Sequence, residues 1–183
     1  MINLIIQSFY FALPAYLANM SPVIFDKLKI LKSLKKPIDG GRRLGGQPIF
    51  GQNKTWRGIV SGIIFGVLVV YLQQYLFQFE NFRNLSVIDY DQINPWLFGA
   101  LAGLGAILGD LVKSFFKRRV GIKDGRAWPV FDQLDFIAGF LVFTFWLVQP
   151  SLAVLVTVFL ITLVLHPLTN LISYFLGFKK VWW

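Results

Sequence analysis

Of the nine acidic residues in this 183-residue chain, three stand where apolar segments meet lysine and arginine: Asp110, Asp132 and Asp135. An ionisable side chain in an apolar helix costs several kcal/mol unless it is paired or solvated, so each is a functional candidate. Asp110, Ser114 and Lys117 are spaced i, i+4, i+7, which is one helix face, and Arg118 and Arg119 follow at once. Asp132 and Asp135 are one helical turn apart, at the end of a run that begins Lys123-Asp124-Gly125-Arg126. Carboxylates brought together from two helices suit a hard divalent cation. Mg²⁺ takes oxygen ligands, usually a few carboxylates plus phosphate and water. The plainer alternative is that these acids simply pair with the neighbouring lysines and arginines.

Two further groups of polar residues accompany the acids. The stretch 40–58 carries Gly40, Gly41, Gly45, Gly46, Gly51 and Gly58 among Arg42, Arg43, Lys54, Thr55 and Arg57. Such a loop can offer backbone N–H groups and positive charge to phosphate, and it leads into a helix N-terminus. A solvated linker is the competing account. It is not a Walker A loop, because Gln52 stands where lysine is required. His166 and Asn170 form an i, i+4 pair in the last apolar segment, next to Pro167, and either face a ligand or pack against each other. Asn19 intrudes in the same way on the first segment. Acids, cations and glycines together favour phosphoryl or nucleotidyl transfer from a Mg²⁺-bound nucleoside triphosphate to a lipid.

Long apolar helices must position these groups. A bilayer crossing needs roughly 20 apolar residues. Charge-free runs cover 2–24, 58–79, 95–109, 136–149 and 150–178, the fourth beginning nearer position 131. These predict an all-α, multi-pass membrane protein of five transmembrane helices in one domain, 1–183. A hairpin is expected at Gln149-Pro150-Ser151. Small residues four apart in 99–106 predict a close helix–helix approach. Segment 25–57 holds nine Lys/Arg, 111–130 holds six, and Lys179 and Lys180 add to the same side, against Arg83 alone in 80–94. The positive-inside rule then puts the N-terminus outside, the C-terminus in the cytoplasm, and the loops at about 25–57 and 111–131 on the cytoplasmic face. Trp56, Trp96, Trp128, Trp182 and Trp183 fall near helix ends, as an aromatic belt would. Residues 25–36 form either a basic loop or a short helix on the membrane surface.

Composition excludes other classes. The chain is 56% hydrophobic and 15% charged, with net charge +9, no cysteine and one histidine. That removes disorder, disulfides, thiolate chemistry and a Cys/His zinc site. Nucleic acid is not an expected partner.

At these residues the sequence resembles the CTP-dependent cytidylyltransferases of phospholipid synthesis. Their signature of Ser-x-x-Lys-Arg, Lys-Asp, Pro and two acids three apart is matched by Ser114, Lys117-Arg118, Lys123-Asp124, Pro129, Asp132 and Asp135. The spacer after the proline is shorter here, and Gln133 replaces an arginine. Those departures are similar to the archaeal branch, the CDP-archaeol synthases. That branch shares the loop Gly51, Asn53, Lys54, Thr55, Arg57, Gly58 and the His166/Asn170 pair.

The resemblance implies transfer of CMP from CTP to 2,3-bis-O-geranylgeranylglycerol 1-phosphate, with release of pyrophosphate. It implies Mg²⁺ on Asp110, Asp132 and Asp135, and phosphates held by Ser114, Lys117 and Arg118. Lys54, Thr55 and Arg57 would contact triphosphate or cytosine, Lys123 the lipid phosphate, and Asp124, His166 and Asn170 would complete the CTP site. Implied partners are CTP, the isoprenoid ether lipid phosphate and membrane lipids, with a homo-oligomer left open. The location is the cell membrane, with the active site facing the cytoplasm. Rival readings are a phosphatidate acceptor, a CTP-dependent polyprenol kinase and a small anion transporter. The transporter fits poorly, because the charges gather at one face and no repeat is visible.

Overall fold

The computed structural model describes residues 1–123, 125–178 and 181. Asp124, Lys179, Lys180, Trp182 and Trp183 lie outside the described residues, and with them the roles expected of Asp124 and of the tail. The chain folds as α1 (Ile2–Lys27), a 3-10 turn (Lys32–Leu34), β1 (Arg43–Leu44), β2 (Gln47–Pro48), α2 (Trp56–Leu76), α3 (Glu80–Leu85), α4 (Pro95–Arg119), α5 (Phe131–Thr144) and α6 (Leu152–Phe175). The five long helices fall on the five apolar runs. By length and composition, α2, α4 and α6 can each cross a membrane. At 14 residues, α5 is about 21 Å long by helical rise. Residues 28–36 form turns rather than a surface helix, with Lys29 and Leu31 at positive φ. The one-turn-and-a-half α3 falls where the apolar pattern signals nothing.

Local signals explain the helix ends. The Thr55, Asn94 and Ser151 side chains accept from the N–H groups of Gly58, Leu97 and Val154, capping α2, α4 and α6. Pro95 follows its cap at the first helical position. Ser151 therefore acts as the expected cap, although α5 stops at Thr144 and the link to α6 is longer than a tight hairpin.

Helix α4 is the centre of the bundle. Gly99 and Gly103 meet Gly66 and Gly62 of α2, and Gly105 and Gly109 meet Gly139 of α5. A Cβ on Gly66 would lie 2.8 Å from the Gly103 nitrogen. The seam is thus backbone against backbone, as the small-residue spacing predicts. Phe11, Phe98, Phe136 and Phe140 fill the interior between α1, α4 and α5. Buried polar groups cross-link it: Gln73 donates to the Tyr10 carbonyl at 2.6 Å, and Ser21 donates to Ser61 at 3.0 Å. The outer faces stay apolar, as with Leu68, Val142, Leu160 and Val164, which suits a lipid surround.

The glycine-rich loop is a folded hairpin. Strands β1 and β2 pair Arg43 with Pro48 and Leu44 with Gln47. Gly45 and Gly46 both take positive φ, 58° and 77°, as the tight turn between them requires. Asp39 organises the rest, accepting N–H groups from Gly41 at 2.9 Å, Phe50 at 3.0 Å and Gly51 at 3.4 Å. Arg119 fastens the hairpin to the end of α4 by donating to the Leu44 carbonyl at 2.8 Å and to the Pro48 carbonyl.

Burial pushes the Asp39 carboxyl upward, but the amide donors outweigh it and hold the group below the ordinary carboxylate value. A depressed folded-state pKa contributes stability above the unfolded value of about 4, and loses it as pH falls through the lower folded value. Asp39→Asn should therefore remove about 1.5–3 kcal/mol of local stability at neutral pH. The check is hydrogen exchange at Phe50 and Gly51, which should speed at least tenfold, a gap that closes in strong acid.

Candidate active site

Helices α4 and α5 carry the acids to one point. Asp110 lies on α4, one turn before Lys113 and Ser114 and two turns before Lys117, and Asp132 and Asp135 lie in the first turns of α5. The Gly105–Gly109–Gly139 contact draws the two helices close enough for their side chains to meet. The α5 start is set by a local distortion: Val130 takes φ 68°, a costly conformation for a β-branched residue. The turn it closes lets the Trp128 N–H donate to the Asp132 carboxylate at 2.5 Å.

All three acids surround the Lys113 ammonium. It lies 3.1 Å from Asp110, 2.7 Å from Asp132 and 2.9 Å from Asp135. Lys117 adds contacts of 2.9 and 2.8 Å to Asp132, and Lys54 reaches across from the loop to Asp110. The expected convergence of carboxylates and the simpler expectation of lysine pairing therefore hold together. Among the described residues, no group of three or more acids or histidines is placed to hold a metal ion as it stands. The donors are of the right kind for Mg²⁺, but an ammonium lies between them.

A cavity of about 660 Å³ opens beside this cluster, lined by Lys54, Asp110, Ser114, Lys117, Arg118, Asp132, Asp135, His166 and Asn170. Nine of the residues given a site role from the sequence thus line one cavity, and Asn19 of α1 lines it too. Ser114, Lys117 and Arg118 are largely buried in it. Asn170 sits 3.5 Å from the His166 ring nitrogen, on α6 across from the acids.

Thr55, Arg57 and Lys123 do not line the cavity. The Thr55 hydroxyl caps α2, Arg57 is buried against Asp26 at the end of α1, and Lys123 is exposed on the loop. Nor do the loop glycines from Gly40 to Gly51 line it; they form turns, and Asn53 and Lys54 are what the loop contributes. Sequence reasoning gave no role to Lys113 or Arg126, and none to Asn53 beyond its place in the shared loop, yet all three line the cavity. For Lys113 a signal existed, its i, i+3 spacing from Asp110.

A second, open cavity of about 740 Å³ runs along the outer seam of α4 and α5. Its walls are apolar, including Leu108, Val112, Phe116, Phe131, Leu134 and Ala138, and it shares Lys113 and Asp135 with the polar cavity.

The family model for CDP-archaeol synthases (CarS-like) matches residues 1–183. A CDP-archaeol synthase of Methanococcus aeolicus is 36% identical over 183 residues, covering 100% of this chain and 98% of that protein. One from Methanosarcina mazei is 39% identical, covering 93% of this chain and 99% of that protein. A solved structure, described as an intramembrane enzyme for archaeal membrane lipids biosynthesis, superposes with a TM-score of 0.69. It is 29% identical and covers 88% of this chain and 91% of the other.

Proposed function

The chain belongs to the CDP-archaeol synthase family, and on that premise we propose how its polar cavity carries out the reaction. The reaction transfers CMP from CTP to an unsaturated archaeal ether lipid phosphate, giving the CDP-lipid and pyrophosphate. An oxygen of the lipid phosphate attacks the α-phosphorus of CTP. The bond to the β-phosphate oxygen breaks in line, and pyrophosphate leaves with the electron pair. No covalent enzyme intermediate is required, so positioning and charge neutralisation supply the rate.

One observation carries the assignment of residues: three carboxylates from α4 and α5 meet Lys54, Lys113 and Lys117 in one cavity. Asp110, Asp132 and Asp135 would hold Mg²⁺, which when bound offsets charge on the triphosphate. Ser114, Lys117 and Arg118 hold phosphate oxygens from the α4 side. Lys54 and Asn53 approach from the loop. His166 and Asn170 close the α6 wall. Arg57 positions the loop through Asp26, and Thr55 fixes the start of α2.

The isoprenoid chains lie in the apolar seam of α4 and α5, which reaches the polar cavity at Lys113 and Asp135. The chain crosses the membrane five times, through α1, α2, α4 and α6, and through α5 together with the apolar residues 145–148 that follow it. The loop 28–55 and the α4–α5 connection sit at the same end of the bundle, because Lys54 pairs with Asp110 and Arg119 holds the hairpin. That end carries most of the positive charge and faces the cytoplasm.

The test supplies purified protein in detergent with CTP or ATP, Mg²⁺, a polyprenol and a panel of ether and ester lipid phosphates, and identifies products by mass. A CDP-ether lipid plus pyrophosphate is the expected result. A phosphorylated polyprenol with CDP, or an exclusive preference for ester lipids, contradicts the assignment.

A further inference from the structure

The acids are gathered by an internal cation. The Lys113 side chain is 12% exposed, and among the described residues its nitrogen is the one group in contact with all three carboxylates, at 2.7–3.1 Å. Lys54 and Lys117 each reach one of them. Three lysines therefore balance three acids inside the bundle, and a dication entering the same oxygens would face an ammonium already among them.

Resting on the reaction proposed above, we propose that Lys113 is a placeholder cation. It occupies the divalent-ion position while the site is free of nucleotide, keeps Asp110, Asp132 and Asp135 assembled, and is displaced only when the cation arrives together with the triphosphate. Repulsion between like charges a few ångströms apart is large away from bulk water, so the resting cluster rejects a free dication. The triphosphate brings the negative charge that offsets it and gives the displaced ammonium an anionic partner. Lysine suits this role, because its flexible four-carbon stem can swing a compact charge between two positions. Lys113 also lines the polar cavity beside Ser114, Lys117 and Arg118, the groups placed to hold phosphate, so its nitrogen can turn toward the triphosphate there. The order of binding follows: the metal enters as the metal–nucleotide complex.

Mn²⁺ titration of the purified full-length protein without nucleotide, read by the electron paramagnetic resonance of the free ion, tests this. Wild type should bind Mn²⁺ weakly alone and far more tightly with CTP present. Lys113→Gln should bind Mn²⁺ without CTP at least roughly tenfold more tightly than wild type. Lys113→Arg, which keeps the charge, should stay at the wild-type level. The double variant Lys113→Gln/Asp135→Asn should lose the gain. A merely structural lysine would lower, not raise, metal affinity on removal. Equal affinities in Lys113→Gln and wild type would overturn the inference. So would tight Mn²⁺ binding to nucleotide-free wild type, a measurement that needs no variant to fold. If wild type forms the CDP-lipid but either of these results appears, only the role of Lys113 falls. Failure of wild type to form the CDP-lipid counts instead against the proposed reaction.

Discussion

Asp110→Asn should lower CDP-lipid formation by at least about a hundredfold while the protein still folds and inserts. Asparagine keeps the volume and one acceptor oxygen, so the α4–α5 seam at Gly105, Gly109 and Gly139 is untouched. What disappears is the charge that pairs with Lys54 and Lys113. Two lysines in a partly buried cavity then lose an anionic partner, and a cation loses a carboxylate ligand. Asp132→Asn should have a similar effect, since it removes partners from both Lys113 and Lys117. The double variant should fall little further than either single one, because groups acting as a unit are not additive. Turnover of labelled CTP, beside a size-exclusion profile, separates loss of chemistry from loss of fold. A Tm within a few degrees of wild type with activity lost is the expected pair of readings.

Gly139→Val should do the opposite and break the assembly before the chemistry. A Cβ at position 139 runs into the Gly105 carbonyl and lies 2.8 Å from the Gly109 Cα. Both obstacles are backbone inside a helix, so neither can turn aside. The α5 helix would have to move away from α4, at a cost on the order of 3 kcal/mol or more. Asp132 and Asp135 would leave Lys113 with it. Expected are a low yield of monodisperse protein, a large fall in Tm and no activity. Gly58→Ala is the contrasting case: its Cβ would meet Pro22 side-chain carbons at 3.7 Å, ordinary contact, and should be tolerated.

Much of this arrangement is legible in the order of residues. The apolar runs locate the long helices because a span needs an unbroken stretch, and the small residues of 99–106 mark the α4 seams. The face Asp110–Ser114–Lys117 follows from helical spacing alone. The loop is harder. Its glycines suggest a phosphate cradle, yet Gly45-Gly46 between two short extended segments is a hairpin turn. Asp39, Arg57 and Arg119 take their roles from partners 11 to 75 residues away, which no local pattern encodes. Lys113 is the instructive case. Beside Asp110 it reads as a helix-flank lysine, and only the approach of α5 puts it among three acids.

The central claim is that this cavity moves the α-phosphoryl group of CTP, with its nucleoside, onto a lipid phosphate. The most direct measurement supplies the protein and 2,3-bis-O-geranylgeranylglycerol 1-phosphate with CTP labelled at either the α- or the γ-phosphorus, with and without a chelator. Label from the α position should enter the lipid and label from the γ position should leave in pyrophosphate, both ceasing when the divalent cation is removed. Lipid carrying the γ label, or transfer undiminished by the chelator, would contradict the account.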